Sequence, residues 1–192
     1  MTAHRTLVLG GTRSGKSRYA EDLLPADADV RYLATARRDP DDAEWAARLA
    51  AHRARRPGTW RTVEDPDVPG LIRAGGGPLL VDDLATWLTR VLDDAGAWAS
   101  DQPPVVDQQV AELVDAVDVA PGRVVLVSAE VGLGVVPASR AGRLFRDELG
   151  ALNAALAAVC DEVVLLVAGL ALPLKSPAAT SPQIRAPEGA PG

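Results

Sequence analysis

The stretch LVLGGTRSGKSRYAE, residues 7–21, passes from a short apolar run through a glycine-rich turn into a segment of helical composition. From Gly10 to Ser17 it reads G-x-x-x-x-G-K-S, the spacing of a phosphate-binding loop. Gly10, Gly11 and Gly15 admit backbone angles closed to other residues, so several N–H groups converge on one oxyanion at a helix N-terminus. Lys16 supplies a mobile cation for the β and γ phosphates, and the Ser17 hydroxyl a ligand for magnesium. The whole run, Gly10, Gly11, Thr12, Arg13, Ser14, Gly15, Lys16 and Ser17, is therefore read as nucleotide-binding, with Lys16 also catalytic. The bland alternative is a glycine-rich turn that matches by accident. The position between a strand and a helix favours the phosphate loop.

Composition narrows the rest. A chain of 192 residues suits one domain with a sizeable core, and the net charge of -6 gives no general reason to bind nucleic acid or an anionic membrane. Cys160 is the only cysteine, so an internal disulfide and a cysteine-based zinc site are excluded, and a reducing, cytoplasmic setting is expected. No secretory signal is read at the N-terminus. The longest apolar run, Val163 to Leu174, is shorter than the roughly 20 residues of a membrane helix. A soluble protein is expected.

Short apolar runs alternate with helical patterns, which predicts an α/β fold with a mostly parallel sheet flanked by helices, a P-loop NTPase. Strands are placed near Thr6 to Leu9, Val30 to Ala34, Leu79 to Val81, Arg123 to Ser128 and Glu162 to Val167. Helices are placed at Lys16 to Leu24, Asp41 to Arg55, Leu84 to Asp94, Val105 to Val117 and Ala138 to Val159. Asp93 to Pro104 is read as a loop, not a domain linker, so residues 1–175 form a single domain. The remaining 176–192, rich in Pro, Ala and Gly without apolar periodicity, are read as a disordered tail.

Magnesium nucleotide chemistry calls for an acid at the end of a neighbouring strand. The segment PLLVDDLATWL, residues 78–88, ends its apolar run in Asp82 and Asp83. We assign Asp82 to the metal and Asp83 to the cap of the helix starting at Leu84; the alternative is that either simply caps. A second unusual segment, residues 48–64, gathers Arg48, Arg53, Arg55, Arg56 and Arg61 around His52 in an acidic protein. Trp45, Leu49 and His52 share one helix face, so a packed core histidine is one reading. The other is a nucleophile: nearby guanidinium groups favour neutral imidazole with a free lone pair, and they neutralise a phosphate under attack.

These segments together resemble a known family, the bifunctional adenosylcobinamide kinases and adenosylcobinamide-phosphate guanylyltransferases of cobalamin assembly. The resemblance runs from about Thr6 to Lys175 through GGTRSGKSRYAE, RYLAT at 31–35, E-x-A-A-R-L at 44–49 and HRARRPGTWRTVE at 52–64. It continues through LLVDDLATWL at 79–88, AEVGLGVVPASRAGRLFRDELGALNAALA at 129–157 and DEVVLLVAGL at 161–170. It implies a RecA-like core and two reactions. In the first, ATP or GTP phosphorylates the aminopropanol hydroxyl of adenosylcobinamide. In the second, GMP passes from GTP to a histidine, matched by His52, and then to adenosylcobinamide phosphate. It further implies that Thr35, Ala36, Arg37, Arg53, Ala54, Arg55, Arg56, Glu64 and Asp82 line the guanine nucleotide site. Mg2+ with GTP and ATP as co-substrates, a homotrimer and a corrinoid site between subunits complete what it implies.

The chain departs from the family pattern at three places. Ala51 precedes His52 where relatives often carry another histidine. Ser128-Ala129-Glu130-Val131-Gly132 stands where many read T-N-E-V-G, and Asp83 where cysteine is frequent. The residues leave Glu130 open between a structural partner and a contact to metal or substrate. Two rival classes are a plain P-loop small-molecule kinase without nucleotidyl transfer and a nucleotide-sensing binding protein.

Overall fold

The computed structural model describes residues 3–35, 56–63, 67–99 and 104–176. The helix read at Asp41 to Arg55 lies outside them, as does residue 177 onward. Seven strands form one sheet: β1 (His4–Gly10), β2 (Arg31–Ala34), β3 (Arg61–Val63), β4 (Leu79–Asp82), β5 (Arg123–Ala129), β6 (Glu162–Val167) and β7 (Leu170–Lys175). Their spatial order is β3-β2-β4-β5-β1-β6-β7. All neighbours are parallel except the β6–β7 hairpin. The described helices are α1 (Lys16–Asp22), α2 (Val68–Ala74), α3 (Leu84–Asp94), α4 (Pro104–Asp118) and α5 (Arg140–Val159).

A parallel sheet with helices on both faces buries successive side chains alternately, so its strands read as continuous apolar runs. In β1, Leu7 and Leu9 join the core under α3, α4 and α5, whereas Val8 joins the core with Ala20 and Leu24 beneath α1. β5 divides the same way, with Leu126 in the first cluster and Val125 and Val127 in the second. In α3, Leu84, Trp87, Leu88, Val91 and Leu92 make one buried stripe at helical spacing, each large side chain contributing about 1.5–3 kcal/mol by leaving water.

Three elements were not anticipated. α2 carries Gly70 inside only seven residues, a local signal against a helix; Pro69 sits in its first turn, Asp67 caps it by accepting from the Gly70 N–H at 2.8 Å, and Val68 and Ile72 bury its inner side. β3 is three residues at the sheet edge. β7 arises because the apolar run after Glu162 folds back on itself at Ala168 and Gly169. Both have positive φ (51° and 80°), the backbone of a tight hairpin turn. Elsewhere, β1 is longer than read at both ends, α1 stops at Asp22 and α5 begins at Arg140, capped by Ser139 through the Gly142 N–H at 3.1 Å.

Candidate active site

Parallel pairing brings the carboxyl ends of β1, β5 and β4, all interior strands, to one end of the sheet. Gly10 stands opposite Ala129, and Asp82 opposite Val127. The loop leaving β1 is shaped by positive φ at Arg13 (56°) and Gly15 (94°), after which α1 begins. For Arg13, a side-chain-bearing residue, that conformation is uncommon and belongs to the strain collected at functional loops. Gly10 has a steric reason: a Cβ there would stand 2.4 Å from Ser14 Oγ and 2.9 Å from the Leu166 carbonyl. Lys16 Nζ donates to the Gly11 carbonyl at 3.3 Å, folding the ammonium back across the loop.

Ser17 Oγ donates to Asp82 Oδ1 at 3.1 Å, which joins the first turn of α1 to the end of β4. The next residue does different work. Asp83 accepts from the Ala85 N–H at 3.0 Å and the Thr86 hydroxyl at 3.2 Å, so it caps α3. Burial, and then the neighbouring Asp82 charge, push the Asp83 carboxyl above the usual carboxylate range, against the pull of its Ala85 hydrogen bond. A serine hydroxyl and a carboxylate side by side are hard oxygen donors that fit Mg2+, which takes a few protein oxygens and fills its octahedron with phosphate and water.

Thr35 is buried at the end of β2, and its hydroxyl donates to the Asp83 carbonyl at 2.7 Å. That bond ties β2 to the turn after β4. Arg56 lies with its guanidinium carbon 3.5 Å from the centroid of the Tyr32 ring. Of the residues read for the nucleotide, the structure thus brings Gly10 to Ser17, Thr35 and Asp82 to one end of the sheet. His52, Ala36, Arg37, Arg53, Ala54, Arg55 and Glu64 lie outside the described residues.

The sequence profile of the family "Cobinamide kinase / cobinamide phosphate guanyltransferase" matches residues 6–174. The chain belongs to this family. It is 44% identical over 176 residues to bifunctional adenosylcobalamin biosynthesis protein CobP of Pseudomonas aeruginosa, covering 89% of this chain and 97% of that protein. It is 40% identical over 183 residues to the protein CobU of Escherichia coli, covering 88% and 98%. It is 39% identical over 180 residues to CobU of Salmonella typhimurium, again covering 88% and 98%.

In this cobinamide kinase and guanyltransferase family member, two site residues escaped sequence reasoning. The Tyr32 hydroxyl donates to Asp82 Oδ2, so both carboxylate oxygens are held, one by Ser17 and one by Tyr32. Burial, then the Asp82 charge, raise the Tyr32 phenol far above its ordinary value and keep it a donor. Gly169 is the other: its N–H donates to the Ser14 carbonyl at 3.1 Å, so the β6–β7 turn braces the phosphate loop. Tyr32 lies within the quoted RYLAT segment, but only the β2–β4 pairing shows its partner.

Proposed function

We propose that the protein phosphorylates the aminopropanol hydroxyl of adenosylcobinamide with ATP or GTP, then transfers GMP from GTP through a guanylyl-histidine at His52 to give adenosylcobinamide-GDP. The observation that carries this reading is the Ser17–Asp82 pair at 3.1 Å beside a phosphate loop, in a chain that matches the family over residues 6–174.

In the kinase step the loop amides and Lys16 cradle the nucleotide phosphates, and catalysis is mostly positioning and charge neutralisation. Ser17 and Asp82 would hold Mg2+, which when bound neutralises charge on the β and γ phosphate oxygens. In the second reaction neutral His52 attacks the α-phosphorus of GTP. A P–N bond forms, the bond to the bridging oxygen breaks, and pyrophosphate leaves. A phosphate oxygen of the acceptor then displaces the imidazole. Thr35, Ala36, Arg37, Arg53, Ala54, Arg55, Arg56 and Glu64 are proposed to contact the guanine nucleotide in this step.

A homotrimer in the cytoplasm is part of the proposal. Its support is uncovered apolar surface: Leu170, Leu172 and Leu174 on the edge strand β7, and Leu133 and Val135 after β5, are exposed in the single chain. Among the described residues no helix is long and apolar enough to cross a membrane.

The test is mass spectrometry after incubation with GTP and magnesium. One GMP per chain is expected, released by acid and stable to alkali as a phosphoramidate is, and absent in His52→Ala. The same variant is expected to retain ATP-dependent phosphorylation of cobinamide. An adduct that persists without His52 would move the nucleophile elsewhere, guanylyl transfer with no adduct would make the transfer direct, and the absence of both would leave a plain P-loop kinase as the better account.

A further inference from the structure

Glu130 is the first residue beyond β5, and β5 lies between β1, which feeds the phosphate loop, and β4, which ends in Asp82. All three run parallel, so Glu130 emerges at the end of the sheet where the loop and Asp82 meet. Four hydrogen bonds hold the segment from Ala129 to Gly132 there, two of them made by Glu130 itself. Its N–H donates to the Gly10 carbonyl at 3.1 Å, and the buried Asn153 Nδ2 donates to the preceding Ala129 carbonyl at 3.0 Å. The Gly132 carbonyl accepts from Arg146 at 2.9 Å, and the Gly132 N–H donates to Glu130 Oε1 at 2.6 Å. The last bond fixes the direction of the carboxylate and leaves its second oxygen to serve another donor. A Cβ at Gly132 would stand 2.9 Å from Glu130 Oε1, so a side chain there would push the carboxylate aside.

Glu130 also lines a cleft of about 340 Å³ between α5 and strands β1, β6 and β7, together with Leu9, Asn153, Val163, Leu174 and Lys175. The cleft is on the Leu9 face of the sheet, and α1 packs on the Val8 face. An acceptor can therefore reach Glu130 from the side opposite the helix whose N-terminus receives the nucleotide phosphates.

We propose that Glu130 is the general base of the phosphoryl transfer, taking the proton of the acceptor alcohol. The inference rests on the function proposed above. As the alcohol oxygen bonds to the γ-phosphorus, its proton passes to the Glu130 carboxylate. The bond from the γ-phosphorus to the β–γ bridging oxygen breaks, the nucleoside diphosphate leaves with that electron pair, and Glu130 returns the proton to solvent. The guanylyl reactions have no such need. Imidazole attacks with a lone pair, and a phosphate monoester, whose second pKa is about 6, is already deprotonated near neutral pH. The same end of the sheet thus serves two acceptors, only one of which carries a proton to remove.

Glu130→Gln separates this role from a structural one, because the amide oxygen still accepts from Gly132. Three rates are measured: ATP-dependent phosphorylation of cobinamide, labelling of the protein by GTP, and GMP transfer to cobinamide phosphate. The expected result is a fall of about 10²–10⁴-fold in the kinase kcat, with KM for cobinamide changed by less than about threefold and both guanylyl rates near the parent's. Gly132→Ala, which crowds the carboxylate, is expected to give a smaller loss in the same step alone. A kinase kcat within about threefold of the parent's in Glu130→Gln, or an equal fall in all three rates, would overturn the assignment. A parent protein that labels itself with GMP but does not phosphorylate cobinamide would overturn the functional reading, and this role with it.

Discussion

Ser17 and Asp82 are 65 positions apart in the chain, yet the hydroxyl of one donates to the carboxylate of the other at 3.1 Å. Asp82 is also held by the Tyr32 hydroxyl. Its two oxygens are oriented before any ligand arrives, which lowers the reorganisation cost of binding a cation there.

Asp82→Asn is therefore expected to raise the magnesium concentration needed for half-maximal activity by at least tenfold, with some loss of stability because the amide cannot accept from both Ser17 and Tyr32. Asp83→Ala should leave the magnesium requirement near the parent's while costing about 1 kcal/mol through loss of the α3 cap. Magnesium titrations beside urea unfolding of both variants decide the assignment, and an exchanged pattern would move the metal role to Asp83.

Tyr32→Phe keeps the ring under Arg56 and removes only the donor to Asp82. Losing a hydrogen bond to a charged partner costs about 1.5–3 kcal/mol. The expected outcome is a magnesium affinity weakened several-fold together with reduced stability. Unchanged values for both would mean that the Tyr32 hydroxyl does not orient Asp82.

Lys16→Ala removes a charge-assisted phosphate contact that both reactions use, so kinase activity and guanylylation should fall together, each by about 10²-fold or more. Steady-state assays of the two reactions check this. Survival of either near the parent rate would place its nucleotide elsewhere.

Gly10→Ala drives a methyl group into Ser14 Oγ and the Leu166 carbonyl, so the strand or the loop must shift. A loss of about 1–3 kcal/mol is expected, as for an overpacked core, accompanied by weaker nucleotide binding. Calorimetry of unfolding and of nucleotide binding would report both. A stable protein with parental affinity would show that the loop absorbs the methyl elsewhere.

Acid stability should depend on Asp161, which ties the start of β1 to the start of β6 through hydrogen bonds from the Arg5 backbone N–H, Nε and Nη2. The Arg5 side-chain bonds, above all, hold the Asp161 carboxyl down to about 2. A depressed folded-state value makes the contribution complete above the unfolded value, near 3.9, and lost as pH falls through about 2. Between those limits Asp161→Asn should show a shallower decline in urea midpoint than the parent. Equal slopes would discount the pair.

Much of the fold was legible locally. The phosphate loop, the strands at β1, β4 and β5, and the capping role of Asp83 follow from contiguous residues, because backbone freedom at glycine, apolar runs and N-cap chemistry act over a few positions. α2 was not legible, since Gly70 and the brevity of the segment argue against a helix, and the Asp67 cap, Pro69 in the first turn and burial of Val68 and Ile72 together override them. β7 was hidden inside one apolar run until the positive φ of Ala168 and Gly169 divided it.

The residue types needed for phosphate chemistry, and their order along the chain, were decided by the sequence alone, because each motif is short enough to carry its own conformation. Their meeting was not. Which strand lies between β1 and β4 depends on packing of whole helices against both faces of the sheet, a long-range choice that no window of residues encodes. That choice sets Asp82 beside Ser17, Tyr32 under Arg56, the Gly169 turn against the phosphate loop, and Glu130 at the end of the sheet they share.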